Sequence, residues 1–177
     1  MEAFAQTVIA LIKENQAWIP LIMVVFAAAE TTAFLSIAIP STPILVAVGA
    51  LAATGAIPFW SLWAGATVGA LIGSFFSYWL GWRYGAKILA MRPLRDYPEM
   101  VEKTRAAFTK YGPITVLIGH FMTIFRPVVF LMSGMSGMPL AKFAFWNVIG
   151  ATAWAYIVPK AGQLGGDTLG WIWGQFS

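Results

Sequence analysis

Two side chains that a membrane should reject stand in otherwise apolar stretches: Glu30 in "FAAAETTAFLSIAIP" and Arg126 in "HFMTIFRP". Counted from Trp18, Glu30 lies roughly 18 Å along a helix rising 1.5 Å per residue, past the middle of a hydrocarbon core. An acidic group there costs at least about 2.5–3.5 kcal/mol on insertion scales, so a gatekeeping or proton-relay role is the default expectation. Arg126 makes the same case more strongly, because guanidinium does not deprotonate in proteins. Its planar fork suits a phosphate. The two can also pair with each other, which is the structural alternative to an anion site.

Prolines stand beside these residues. The residue before a proline is pushed out of the α region, so Arg126 is expected to close one half-helix and Pro127 to open the next. "IPSTP" repeats the logic, with breaks at Pro40 and Pro43, and Ser41 or Thr42 as cap for a helix over 43–57. Each break would aim free N–H groups and partial positive charge into the membrane, where they bind anions. The phosphate contacts expected are therefore Arg126, His120, Ser41 and Thr42, with Glu30 and His120 as the proton-coupling groups. His120, the only histidine, is six residues before Arg126. The two can face one cavity only if the helix unwinds between them; a buried structural histidine is the competing reading.

The elements that must hold these residues follow from composition. The chain has 177 residues, 59% of them hydrophobic and 10% charged, with a mean hydropathy of +0.75. Soluble domains carry about 25% charged residues, so this is an integral membrane protein. The chain contains no cysteine, which excludes disulfides, thiolate chemistry and Cys metal sites, and one histidine is too few for a His-based metal centre. No cofactor is expected. The N-terminal stretch lacks a basic region before its apolar run and reads as an interfacial amphipathic helix rather than a cleaved leader. Trp18, Trp60, Trp82 and Trp171 sit near expected segment ends, as interface anchors do.

Between positions 83 and 110 the basic residues Arg83, Lys87, Arg92, Arg95, Lys103, Arg105 and Lys110 outnumber Asp96, Glu99 and Glu102. The positive-inside rule makes this polar stretch cytoplasmic. It reads as a solvated amphipathic helix beside anionic headgroups, with no nucleic-acid partner.

Apolar blocks cover about 17–39, 43–57, 58–82 and 113–160. Block 58–82 is long enough to span roughly 30 Å of hydrocarbon, and 140–160 forms a second span. The shorter pieces 43–57, 113–126 and 127–138 read as re-entrant or broken helices. Gly49 and Gly134 are 85 apart, as are Gly65 and Gly150, and "GAT" recurs at that offset. The expected fold is thus an all-α polytopic membrane protein, an inverted repeat of a re-entrant, broken-helix hairpin plus a transmembrane helix. Repeat 1 covers about 17–88, an amphipathic linker 89–111, repeat 2 112–162 and a C-terminal interfacial segment 163–177, in one domain. Gly65, Gly69 and Gly73 recur every four residues, a face for close helix packing.

At these residues the sequence resembles the DedA family, whose conserved region is shared with eukaryotic lipid scramblases (the VTT, or SNARE-associated, type). The likeness runs from about Glu30 to Trp154 and rests on Glu30 before a Pro-x-x-Pro turn, "VGALAATG", "GSFFSYWLGWRYG", "FTKYG", "HFMTIFRP", "SGMSGM" and "FWNVIGATAW". The resemblance implies movement of a polyprenyl-phosphate carrier lipid or phospholipid across a bacterial cytoplasmic (inner) membrane, often dependent on the proton motive force. It carries over Glu30 and Arg126 directly. His120 stands where the family usually has arginine, and Ser41-Thr42 where it often has an acidic residue.

The reading is a multi-pass lipid flippase or scramblase for a phosphate-bearing lipid such as undecaprenyl phosphate, with membrane lipids and protons as partners and homo-oligomerisation left open. Its first rival is a proton-coupled small-ion transporter or antiporter with a membrane-homeostasis role. An enzyme is not expected: a membrane lipid phosphatase needs a histidine nucleophile and a second histidine as acid. A purely structural or chaperone-like protein is the third reading.

Overall fold

The computed structural model describes residues 16–32, 49–50, 52, 57–90, 94–122 and 125–174. Ser41, Thr42, Pro40 and Pro43 and the N-terminal amphipathic stretch lie outside these. Among the described residues every regular element is helical.

After a 3₁₀ turn over Gln16–Trp18, helix α1 runs from Ile19 to Thr31. Pro20 sits in its first turn, where a missing N–H costs nothing. Helix α2, Phe59–Tyr84, follows Pro58 and ends at Gly85, whose φ of +52° favours glycine. Its 26 residues extend about 39 Å, and it alone among the described helices is long and apolar enough to cross a membrane. Two 3₁₀ segments, Gly85–Ala90 and Leu94–Asp96, lead to α3, Pro98–Tyr111. Short α4, Ile114–Gly119, is followed by α5, Arg126–Met135, and α6, Leu140–Gly174. Helix α6 is continuous through Pro159 and runs beyond residue 162, where the sequence reading ends its second repeat.

Helix α2 is the axis of the fold, packing on α1, α5 and α6. Its small residues explain how. A Cβ on Gly65 would lie 2.9 Å from Met23 Cβ, and one on Gly69 would lie 2.9 Å from both Val24 Cα and Ala27 Cβ. A Cβ on Gly73 would lie 3.0 Å from Thr31 Cβ. The four-residue row therefore seats α1 directly against the backbone of α2, the small-residue packing of membrane helices. Ser77 closes the row by donating to Thr31 O at 2.9 Å. On the outer side Val68, Ile72, Phe76 and Trp79 are exposed, an apolar face that fits lipid rather than water.

Among the described residues the interior forms three clusters, of which two bear on the site. Met23, Ala27, Leu62, Ala66, Ala70, Ala151, Trp154 and Ala155 join α1, α2 and α6, while Tyr78, Val116, Val129, Phe130 and Phe143 join α2, α4, α5 and α6. The candidate site lies where these groups meet.

Candidate functional site

Glu30 lies in the last turn of α1 and Arg126 is the first residue of α5. Arg126 Nη1 stands 3.1 Å from Glu30 Oε1, and both side chains are wholly buried. The guanidinium carbon also lies 4.2 Å from the ring centroid of Trp154 on α6. That is stacking range for a cation over an aromatic face, and worth most when desolvated. Nη2 donates to the backbone carbonyl of His120. One arginine thus ties α1, the 120–126 break and α6 together.

The break is real, but its phase differs from the expectation. The first half-helix ends at Gly119, and Arg126 opens α5 rather than closing α4, with Pro127 as its second residue. A proline's steric pressure on its predecessor is offset here because Arg126 is anchored at its fork by Glu30 and by the His120 carbonyl. The unwinding does bring His120 and Arg126 together, through the histidine's main chain rather than its ring.

The imidazole faces another way. His120 Nε2 lies 2.9 Å from Asn147 Oδ1, and Asn147 Nδ2 donates to Ser74 Oγ at 2.8 Å. Ser74 Oγ in turn donates to Leu71 O at 3.0 Å. Because the amide NH2 is committed to Ser74, Oδ1 must accept, so Nε2 carries a proton. Gly150 makes this approach possible: a Cβ there would lie 2.5 Å from His120 Cδ2. The ring packs against Phe130 at 4.9 Å between centroids. Among the described residues His120 Nδ1 and Arg126 Nε have no hydrogen-bond partner although both are buried.

Asn147, Ser74 and Trp154 were not singled out from the sequence. The available signal was an uncharged polar residue, Asn147, in the apolar run "FWNVIG", where an amide normally finds an interhelical partner. Replacing Asn147 with Leu strands the His120 N–H and removes the donor to Ser74 Oγ, whose own O–H keeps Leu71 O. Interhelical bonds inside membranes average about 0.6 kcal/mol and reach about 1.7 kcal/mol; a loss of roughly 1–2 kcal/mol in the thermal stability of detergent-solubilised protein is expected. An unchanged melting curve would remove this chain from the architecture of the site.

No three His, Asp or Glu side chains gather to hold a metal among the described residues. The arrangement offers an ion pair that a competing anion or proton can open, at the N-terminus of a ten-residue helix.

The model of the VTT domain matches residues 39–164, well over half of the chain. The chain belongs to the VTT-domain, or DedA, family. Inner membrane protein YabI of Escherichia coli (strain K12) is 31% identical over 147 residues, covering 83% of this chain and 58% of YabI. Inner membrane protein YghB of the same strain is 30% identical over 129 residues, covering 70% of this chain and 57% of YghB. Protein DedA, also of that strain, is 26% identical over 159 residues, covering 88% and 73%. The chain thus spans little more than half the length of YabI and YghB. No solved structure matches it. Its VTT relatives are bacterial membrane proteins, and so is this chain. Of the site residues, Ser74, His120, Arg126, Asn147 and Trp154 fall inside the VTT match, whereas Glu30 stands upstream of it. The ion pair therefore joins a residue inside the matched region to one upstream of it.

Proposed function

We propose that this VTT protein moves a phosphate-bearing lipid, undecaprenyl phosphate or a phospholipid, between membrane leaflets as a flippase or scramblase. The observation that carries this reading is the Glu30–Arg126 pair, fully buried at a helix break in an apolar protein. A buried ion pair is poor value as a stabiliser, whereas an arginine fork at a helix N-terminus is suited to a phosphate. In the proposed cycle the headgroup phosphate displaces Glu30 from Arg126, and protonation of Glu30 favours the exchange. Ser41 and Thr42 would add contacts from the first break, and His120 would serve as an auxiliary acceptor.

Two opposed broken hairpins would give the lipid its path. Their support is reciprocal packing by residues matched at the 85-residue offset. Gly49 presses on α6, where its Cβ would lie 2.8 Å from Pro159 Cα; Gly134 presses on α2, where its Cβ would lie 2.6 Å from Trp82 N. Gly65 packs on Met23 of α1 as Gly150 packs on Leu117 and His120 around α4. Gly49 of the first half thus rests on the long helix of the second, and Gly134 of the second on the long helix of the first.

The complete enclosure of Glu30, His120 and Arg126 favours a second reading, a proton-coupled small-ion carrier, since a small ion needs no lateral opening. Reconstitution in liposomes with fluorescent polyprenyl phosphate and phospholipid separates the two. Wild-type protein is expected to accelerate lipid movement, and Arg126→Ala at equal incorporation to return it to the rate of empty vesicles. Dissipation of an imposed pH gradient with unchanged lipid rates supports the ion carrier. If neither lipid moves faster than in empty vesicles, with or without the gradient, the lipid reading fails.

A further inference from the structure

A cavity of about 230 Å³ opens between α3, α4 and α5, away from the ion pair. Its mouth is cationic. Lys103 lines it, and so does Tyr111, over whose ring Lys110 Nζ lies at 5.0 Å. Lys103 pairs with Glu99 at 3.8 Å, with both side chains mostly exposed. Such a surface pair is worth little and readily yields to another anion.

The walls are apolar despite two threonines. Thr104 donates its hydroxyl to Met100 O at 2.7 Å, and Thr115 donates to Ala107 O at 3.0 Å. With those groups satisfied, the groove offers nothing to a peptide backbone, whose N–H and C=O groups would go unpaired inside it. A hydrocarbon chain suffers no such loss. Gly119, Met122 and Phe125 complete its lining. These residues flank the break whose His120 carbonyl receives Arg126.

We infer that this groove seats one chain of an anionic membrane lipid, with its headgroup on Lys103 and Lys110. The seat is separate from the Glu30–Arg126 site and stands whether or not the protein moves lipid. Charge complementarity decides the class of occupant: an apolar slot with a cationic rim, on the segment where basic residues outnumber acidic ones, selects lipids of negative charge.

The test uses the full chain in nanodiscs doped with phosphatidylglycerol or phosphatidylethanolamine bearing a photoactivatable acyl chain, with labelled peptides mapped by mass spectrometry. Ile118, Met122 and Phe125 should be labelled by the anionic probe in preference to the zwitterionic one. Ala107→Trp should remove that label. The pair Lys103→Glu and Lys110→Glu should lower the anionic preference by roughly tenfold or more. Labelling of Val68, Ile72 and Phe76 on the outer face of α2 should persist in every variant, which reports that the fold is intact. Because the two lysine changes lie on exposed positions of α3, they keep the test available if the tryptophan is not tolerated. Equal labelling by both lipids, unaffected by charge reversal, overturns the inference. So does a cross-link showing that another polypeptide segment fills the groove. Lipid flux is not read, so a negative transport result leaves this outcome legible.

Discussion

Arg126→Met alone should destabilise the protein by about 3–5 kcal/mol, and adding Glu30→Gln should restore most of the loss. The guanidinium has no access to solvent and is held on three sides: Glu30 Oε1 at 3.1 Å, the Trp154 ring at 4.2 Å and the His120 carbonyl. Removing it takes the cation from beside a buried carboxylate, and the weakened compensation of that charge, rather than the lost attraction, dominates the cost. Neutralising both partners removes the charge altogether. A double-mutant cycle measured by thermal unfolding in detergent should therefore give a coupling well above the error of additivity, about 0.3–0.5 kcal/mol. Lipid movement should stay lost in the stable double variant. Recovery of both stability and movement would make the pair purely structural.

The second large effect is expected at the α1–α2 seam. Gly69→Leu places a side chain where Val24 Cα and Ala27 Cβ already lie 2.9 Å from the position of a Cβ. Helix propensity favours the change by up to about 1 kcal/mol, but Val24 Cα is main chain and cannot rotate aside. Overpacking typically costs about 1–3 kcal/mol and sometimes more, so packing wins and α1 must shift. That shift opens the Ser77–Thr31 bond and draws Glu30, one residue earlier, away from Arg126. Gly69→Leu should lower both melting temperature and lipid movement. Val68→Leu, one residue away on the exposed face, should stay within about 0.5 kcal/mol of wild type. Comparable stability of the two variants would mean the seam is loose.

The residues easiest to read from the sequence were those that contradict their surroundings. Glu30 and Arg126 stand out because charge in an apolar run has no inexpensive explanation, and the structure brings them into contact. The glycine row on α2 was legible because a spacing of four puts residues on one helix face. The phase of the second break was not: local sterics favoured ending a helix at Arg126, while tertiary anchoring of its side chain starts one there. Asn147 was illegible for a different reason. Its partners, His120 and Ser74, are 27 and 73 residues away, and only the crossing of α6 with α4 and α2 defines them. Trp154 similarly reads as one more aromatic among nine tryptophans, until the guanidinium is found over its ring. The Ser41–Thr42 expectation lies outside the described residues.

The two most exposed tryptophans of α2, Trp60 at 67% and Trp82 at 63%, act as a ruler. They are separated by 22 residues, about 33 Å of helix, close to one hydrocarbon thickness. On that scale Ser77, bonded to Thr31 beside Glu30, lies only about 8 Å from the Trp82 end and about 26 Å from the Trp60 end. The buried pair is therefore off-centre, on the side of the basic segment that follows α2. On the proposed lipid route a headgroup would face two unequal journeys, a short one from the basic side and a long one to the other leaflet, and the larger barrier is expected on the long one.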